Sequence, residues 1–154
     1  MNNQRRNVLK SGSGAALLTV LAAAGLIKPG MALADWNKAA FDAKSMADTL
    51  KALGANPVDS KDVQVTGPDI AENGAVVPVG VSSTLPNVSM VAILIEKNPN
   101  ALAASFTLPE GTQANVQTRV KMGQTSNVYA LVKSDGKFFM ATKEIKVTLG
   151  GCGG

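Results

Sequence analysis

Histidine is absent from this 154-residue sequence and cysteine occurs once. Without histidine there is no Ser-His-Asp or Cys-His relay and no imidazole-ligated metal. With a single cysteine as well, a protein-ligated cofactor is hard to build, so no metal site and no cofactor of the chain's own are expected. The carboxylates are scattered, and no close pair suggests acid–base catalysis. Acidic residues are missing altogether before Asp35, where Arg5, Arg6, Lys10 and Lys28 stand unopposed. That segment carries the formal net charge of +4; from Asp35 onward, eleven Lys/Arg face eleven Asp/Glu. A neutral remainder lacks the basic stripe that nucleic-acid or anionic-membrane binding uses.

The unopposed cations belong to a targeting segment. Asn2 to Lys10 form a basic n-region with paired Arg5 and Arg6 ahead of Leu9 and Lys10, followed by the apolar stretch Ala15 to Ile27 and the small-x-small sequence Ala32-Leu33-Ala34. This order resembles a bacterial twin-arginine signal, with cleavage after Ala34 and a periplasmic mature protein. The uncharged run is shorter than the ~20 residues that cross a bilayer, so no stable membrane span is expected after cleavage. Such signals carry folded proteins, which suggests that the chain folds around a partner lacking a signal and takes it across.

Residues 35–54 read as one helix, because Trp36, Ala39, Ala40, Ala43, Met46, Ala47, Leu50 and Leu53 recur at three- and four-residue spacing. Asp35 is placed to cap its start and Gly54 its end. Trp36 and Met46 are expected in the core, and Lys38–Asp42 and Lys44–Asp48 are spaced for weak one-turn pairs. Residues 55–149 change to short β-branched runs between Gly, Pro, Asn and Asp. The candidate strands are Val63–Thr66, Val76–Ser82, Val88–Glu96, Ala104–Leu108, Val116–Met122, Asn127–Lys133 and Lys137–Leu149. About seven strands at this spacing predict a mainly β fold, an immunoglobulin-like antiparallel sandwich behind an N-terminal helix. Ser134-Asp135-Gly136-Lys137 supplies a hairpin turn. Met90 to Ile95 and Val128 to Val132 are apolar on both faces, so their outer face must be covered, either by the helix or by a permanent subunit interface.

Beyond the last strand, residues 150–154 are Gly150, Gly151, Cys152, Gly153 and Gly154. Four glycines around one thiol predict a flexible arm with no side chain to pack, reaching ~17 Å when extended. Oxidising compartments select against idle exposed thiols, so Cys152 is the candidate site of covalent attachment. No Lys, Arg or helix N-terminus adjoins it, so the thiol depends on a partner enzyme for activation, as a carrier's would.

The glycine-framed cysteine, the twin-arginine signal and the helix ahead of a sandwich resemble the SoxY family, the sulfur-carrier subunits of the bacterial Sox thiosulfate-oxidising system. The resemblance covers essentially the whole chain. It implies a carrier rather than an enzyme, forming a heterodimer with a signal-less SoxZ-like subunit. It further implies that Cys152 receives thiosulfate from a c-type cytochrome and then visits a manganese-dependent sulfate thiohydrolase and a sulfane dehydrogenase. Haem and manganese would sit on those partners. Two rival readings stand beside it: a thiocarboxylate carrier using the terminal Gly153-Gly154, and a plain immunoglobulin-like binding module with a chance thiol.

Overall fold

A computed structural model describes residues 36–148 of the chain. The signal segment, Asp35, Leu149 and the glycine arm lie outside the described residues. The expected single helix is two: α1 (Lys38–Asp42) and α2 (Met46–Leu53). The break has a side-chain cause. Ser45 adopts extended backbone and its hydroxyl accepts from Asp48 N at 3.1 Å, which starts a new helix rather than continuing the old one. Asn37, not Asp35, caps α1 by accepting from Ala40 N, and its amide donates to the Ala52 carbonyl at 2.8 Å, tying the two helices together. Gly54 closes α2 in the left-handed conformation, as expected.

The two predicted pairs part ways. Lys38 and Asp42 form an exposed ion pair, whereas Lys44 turns away to Asn100 Oδ1 at 3.1 Å, leaving Asp48 to accept from the Ser45 hydroxyl. Trp36, expected in the core, is 60% exposed.

Nine strands follow among the described residues. They are β1 (Val58–Asp59), β2 (Val63–Thr66), β3 (Ile70–Ala71), β4 (Val77–Ser83), β5 (Val88–Ile95), β6 (Leu102–Thr107), β7 (Asn115–Val120), β8 (Ser126–Ser134) and β9 (Lys137–Val147). The seven longer ones fall where the sequence predicts them. A large sheet runs β1-β9-β8-β5-β6, with β3 also paired to β9, and a small sheet runs β2-β4-β7. The long strands pair antiparallel, while the two-residue β1 and β3 lie parallel to β9. Asp135 (φ 47°) and Gly136 (φ 77°) both take left-handed backbone in the β8–β9 turn, the conformation of a two-residue type I′ hairpin.

Strand alternation sorts the apolar residues into two layers. Val91, Ile93, Val128, Ala130 and Val132 of the large sheet pack inward against Val63, Val77, Val79 and Val81 of the small one. Their neighbours Ala92, Leu94 and Leu131 point outward and are equally buried, under Ala40, Met46, Leu50 and Leu53 of the helices. This explains why β5 and β8 are apolar on both faces: each face is covered within the chain. Burying one leucine side chain contributes about 1.5–3 kcal/mol, so Leu94 and Leu131 are strong anchors for the helical layer. A register shift between Ile93 and Leu94 lets Leu102 of β6 join this outer layer while Ala104 and Phe106 face the sandwich.

Candidate functional site

Cys152 and its flanking Gly150, Gly151, Gly153 and Gly154 lie outside the described residues, as do Arg5, Arg6, Leu9, Lys10 and the Ala34 cleavage position. What the structure places is the root of the arm, the C-terminal end of β9 at Val147, from which Cys152 is five residues away.

The root is held on three sides. On one side β3 pairs in parallel with Lys146 and Val147, and the flanking bonds run from Lys146 N to the Asp69 carbonyl at 3.0 Å and from Thr148 N to the Ala71 carbonyl at 3.1 Å. On the second side Val147 N donates to Thr125 Oγ1 at 3.0 Å. On the third, Gly74 packs so closely that a Cβ there would lie 2.3 Å from the Met122 carbonyl oxygen and 2.9 Å from Val147 Cγ1. Only glycine fits at that approach. Met122 N in turn donates to the Gly74 carbonyl at 2.7 Å, locking this loop to the end of β7.

The charges at the root are few. Lys143 of β9 donates to Asp69 Oδ1 at 2.6 Å, and that hydrogen bond, with the lysine's charge, holds the Asp69 carboxyl below the usual carboxylate range. Farther along the sheet, Tyr129 donates to Glu96 Oε2 at 3.3 Å. Partial burial, then the Glu96 charge, pushes the Tyr129 phenol up. Neither pair is arranged as a nucleophile with a base. No group of three metal-ligating side chains occurs among the described residues, and no described helix is long and apolar enough to cross a membrane. The described root can therefore fix the starting point of an arm, and it presents no reactive group of its own.

Sequence reasoning missed β3 and the role of Gly74. A two-residue strand has no periodicity to detect. The available signal was punctuation: Gly67-Pro68-Asp69 and Asn73-Gly74 bracket Ile70-Ala71, marking a short segment turned at both ends.

A family model described as sulfur oxidation protein SoxY matches residues 49–152, a span that includes every strand of the sandwich and ends on Cys152. Among solved structures, the sulfur carrier protein SoxY from Chlorobium limicola f thiosulfatophilum is similar at 34% sequence identity and a TM-score of 0.59, over 65% of this chain and 92% of that one. A superoxide reductase (neelaredoxin) from Ignicoccus hospitalis is similar at 17% identity and a TM-score of 0.51, over 56% of this chain and 80% of that one. At that identity the second likeness is one of fold alone. A search of curated proteins returned no match.

Proposed function

The chain belongs to the SoxY family of sulfur carriers in sulfur oxidation, and from that premise we propose that it carries thiosulfate-derived sulfur covalently on Cys152 and presents it to partner enzymes. The observation that carries this reading is the family match itself, which runs through the sandwich to the only cysteine in the sequence. The anchored end of β9 supports it, because a firm root lets one short arm serve several active sites from a known starting point.

In this reading loading joins the Cys152 thiol to the outer sulfur of thiosulfate. One proton and two electrons leave, the electrons passing to a c-type cytochrome, and the product is a cysteine S-thiosulfonate with one negative charge. A manganese-dependent thiohydrolase then releases sulfate, and a sulfane dehydrogenase oxidises the sulfur that stays behind. Covalent attachment prevents loss of these intermediates, and tethering replaces repeated diffusional capture. The chain itself acts as a substrate carrier rather than a catalyst, with no cofactor of its own. It works in the periplasm after twin-arginine export, as a heterodimer with a SoxZ-like subunit that crosses with it.

Replacing Cys152 by Ser tests the proposal in cells. Loss of thiosulfate oxidation with the protein still exported and folded is the expected result; undiminished oxidation would refute it.

A further inference from the structure

Between β3 and β4 the chain turns through Glu72-Asn73-Gly74-Ala75, and Asn73 is exposed. Its side-chain oxygen Oδ1 accepts from the Ala75 backbone N–H at 2.9 Å. That hydrogen bond closes a ring of atoms that contains both the Asn73 carbon Cγ and the Gly74 nitrogen, and it draws electron density away from Cγ. Among the described residues, neither the Gly74 N–H nor the Asn73 Nδ2 has a hydrogen-bond partner. A nucleophilic nitrogen, a polarised carbonyl and a free leaving group are therefore neighbours in a turn that water reaches.

The other described asparagines are differently placed. Asn56 and Asn98 precede prolines, which supply no N–H. The side-chain amides of Asn37, Asn87, Asn100 and Asn127 all donate within the fold. Asn115 lies in β7 and is followed by the branched Val116. Asn73 alone combines a free amide with a following glycine, whose nitrogen no side chain shields.

The same turn clamps the end of β9. The Gly74 carbonyl accepts from Met122 N at 2.7 Å, and the glycine sits where even a Cβ would lie 2.3 Å from the Met122 carbonyl oxygen and 2.9 Å from Val147 Cγ1. We propose that Asn73 is a site of spontaneous covalent modification, and that its isoaspartate product releases this clamp. Hydroxide takes the Gly74 amide proton and the nitrogen attacks Asn73 Cγ. As the N–Cγ bond forms, the Cγ–Nδ2 bond breaks, and ammonia leaves with a proton returned from water. Water then opens the succinimide ring. Breaking the N–Cγ bond gives aspartate; breaking the bond from the same nitrogen to the Asn73 main-chain carbonyl carbon gives isoaspartate. No oxidant, reductant or cofactor takes part. Isoaspartate routes the main chain through Cβ, one extra atom just ahead of Gly74, and sets a new carboxylate beside Glu72. A site with no room for a Cβ has none for a longer main chain, so the Met122 bond to Gly74 gives way and β3 loosens from β9.

The test uses the full mature chain, with any subunit that copurifies, held at mildly alkaline pH and sampled over time. Intact mass counts each exchange of NH₂ for OH, and peptide mapping locates it. Asn73 is expected to convert ahead of every other asparagine, at a rate proportional to hydroxide, with isoaspartate in excess over aspartate. Asn73→Gln, which closes an imide ring far less readily, should lack this early phase. Hydrogen exchange at the Met122 and Thr148 amides, which bond to the Gly74 and Ala71 carbonyls, should be about tenfold faster in the aged wild type, as the loss of about one hydrogen bond implies. It should stay unchanged in Asn73→Gln treated in the same way. Conversion at Asn73 no faster than at the other asparagines overturns the proposal, as does an isoaspartyl chain that exchanges at Met122 and Thr148 like fresh protein. Should Asn73→Gln fail to fold, unconverted and converted wild-type fractions, separated by ion exchange, give the same comparison, and equal exchange in the two overturns the proposal equally.

Discussion

The backbone N–H of Thr148 donates to the carbonyl of Ala71 at 3.1 Å, four residues before Cys152. This bond closes the parallel pairing of β3 with β9 and sets the point from which the arm departs. Thr148→Pro removes the donor. The expected loss is about 1 kcal/mol in denaturant unfolding, with faster hydrogen exchange at Lys146, whose N–H bonds to Asp69 next along the same ladder. Unchanged exchange there would show that the root does not depend on this bond.

Leu131 is fully buried on the outer face of β8, beneath the helices. Leu131→Ala is expected to destabilise by about 2–5 kcal/mol through lost transfer energy and the cavity left behind. Amides of α2 should lose protection first, because the helix loses its seat while the inner layer of Val91, Ile93 and Val132 stays packed. Equal loosening of both layers in hydrogen exchange would contradict the two-layer account.

Ser45 divides the helical segment by capping α2. Ser45→Ala should cost about 1 kcal/mol, measured by thermal or denaturant unfolding. A neutral result would place the cause of the break elsewhere.

The Lys143–Asp69 pair gives a pH signature. Asp69 has its pKa lowered, so its contribution is present above the ordinary carboxylate value and is lost as pH falls through the folded value. The Asp69 side chain is 88% exposed, so the effect should appear in its own titration rather than in global unfolding. Carboxyl NMR should show Asp69 titrating below the ordinary value of about 3.9, and Lys143→Met should move it upward. Identical titrations in the two proteins would contradict the pairing.

The large elements were legible because packing writes itself into alternation. Val63–Thr66 and the paired runs around Ile93 and Ala130 show period two or two-sided burial, and the double-sided apolarity of β5 and β8 foretold a covering layer. The helix break was not legible from the apolar spacing, which continues smoothly from Ala39 to Leu53 across Ser45. It lies in one hydroxyl's choice between continuing a helix and capping the next. Trp36 misled for a related reason: it precedes the cap at Asn37, so helical phase does not govern where it points. Cys152 lies outside the described residues, and its proposed role rests on the composition of the segment and on the family match that ends there.

The central claim is that Cys152 holds the cargo, and intact-mass spectrometry of the mature chain from thiosulfate-grown cells tests it most directly. The account predicts adducts of thiosulfonate or sulfane mass that vanish with reductant and are missing from Cys152→Ser. A chain that stays free of sulfur adducts while the cells oxidise thiosulfate, or adducts that survive in Cys152→Ser, would contradict it.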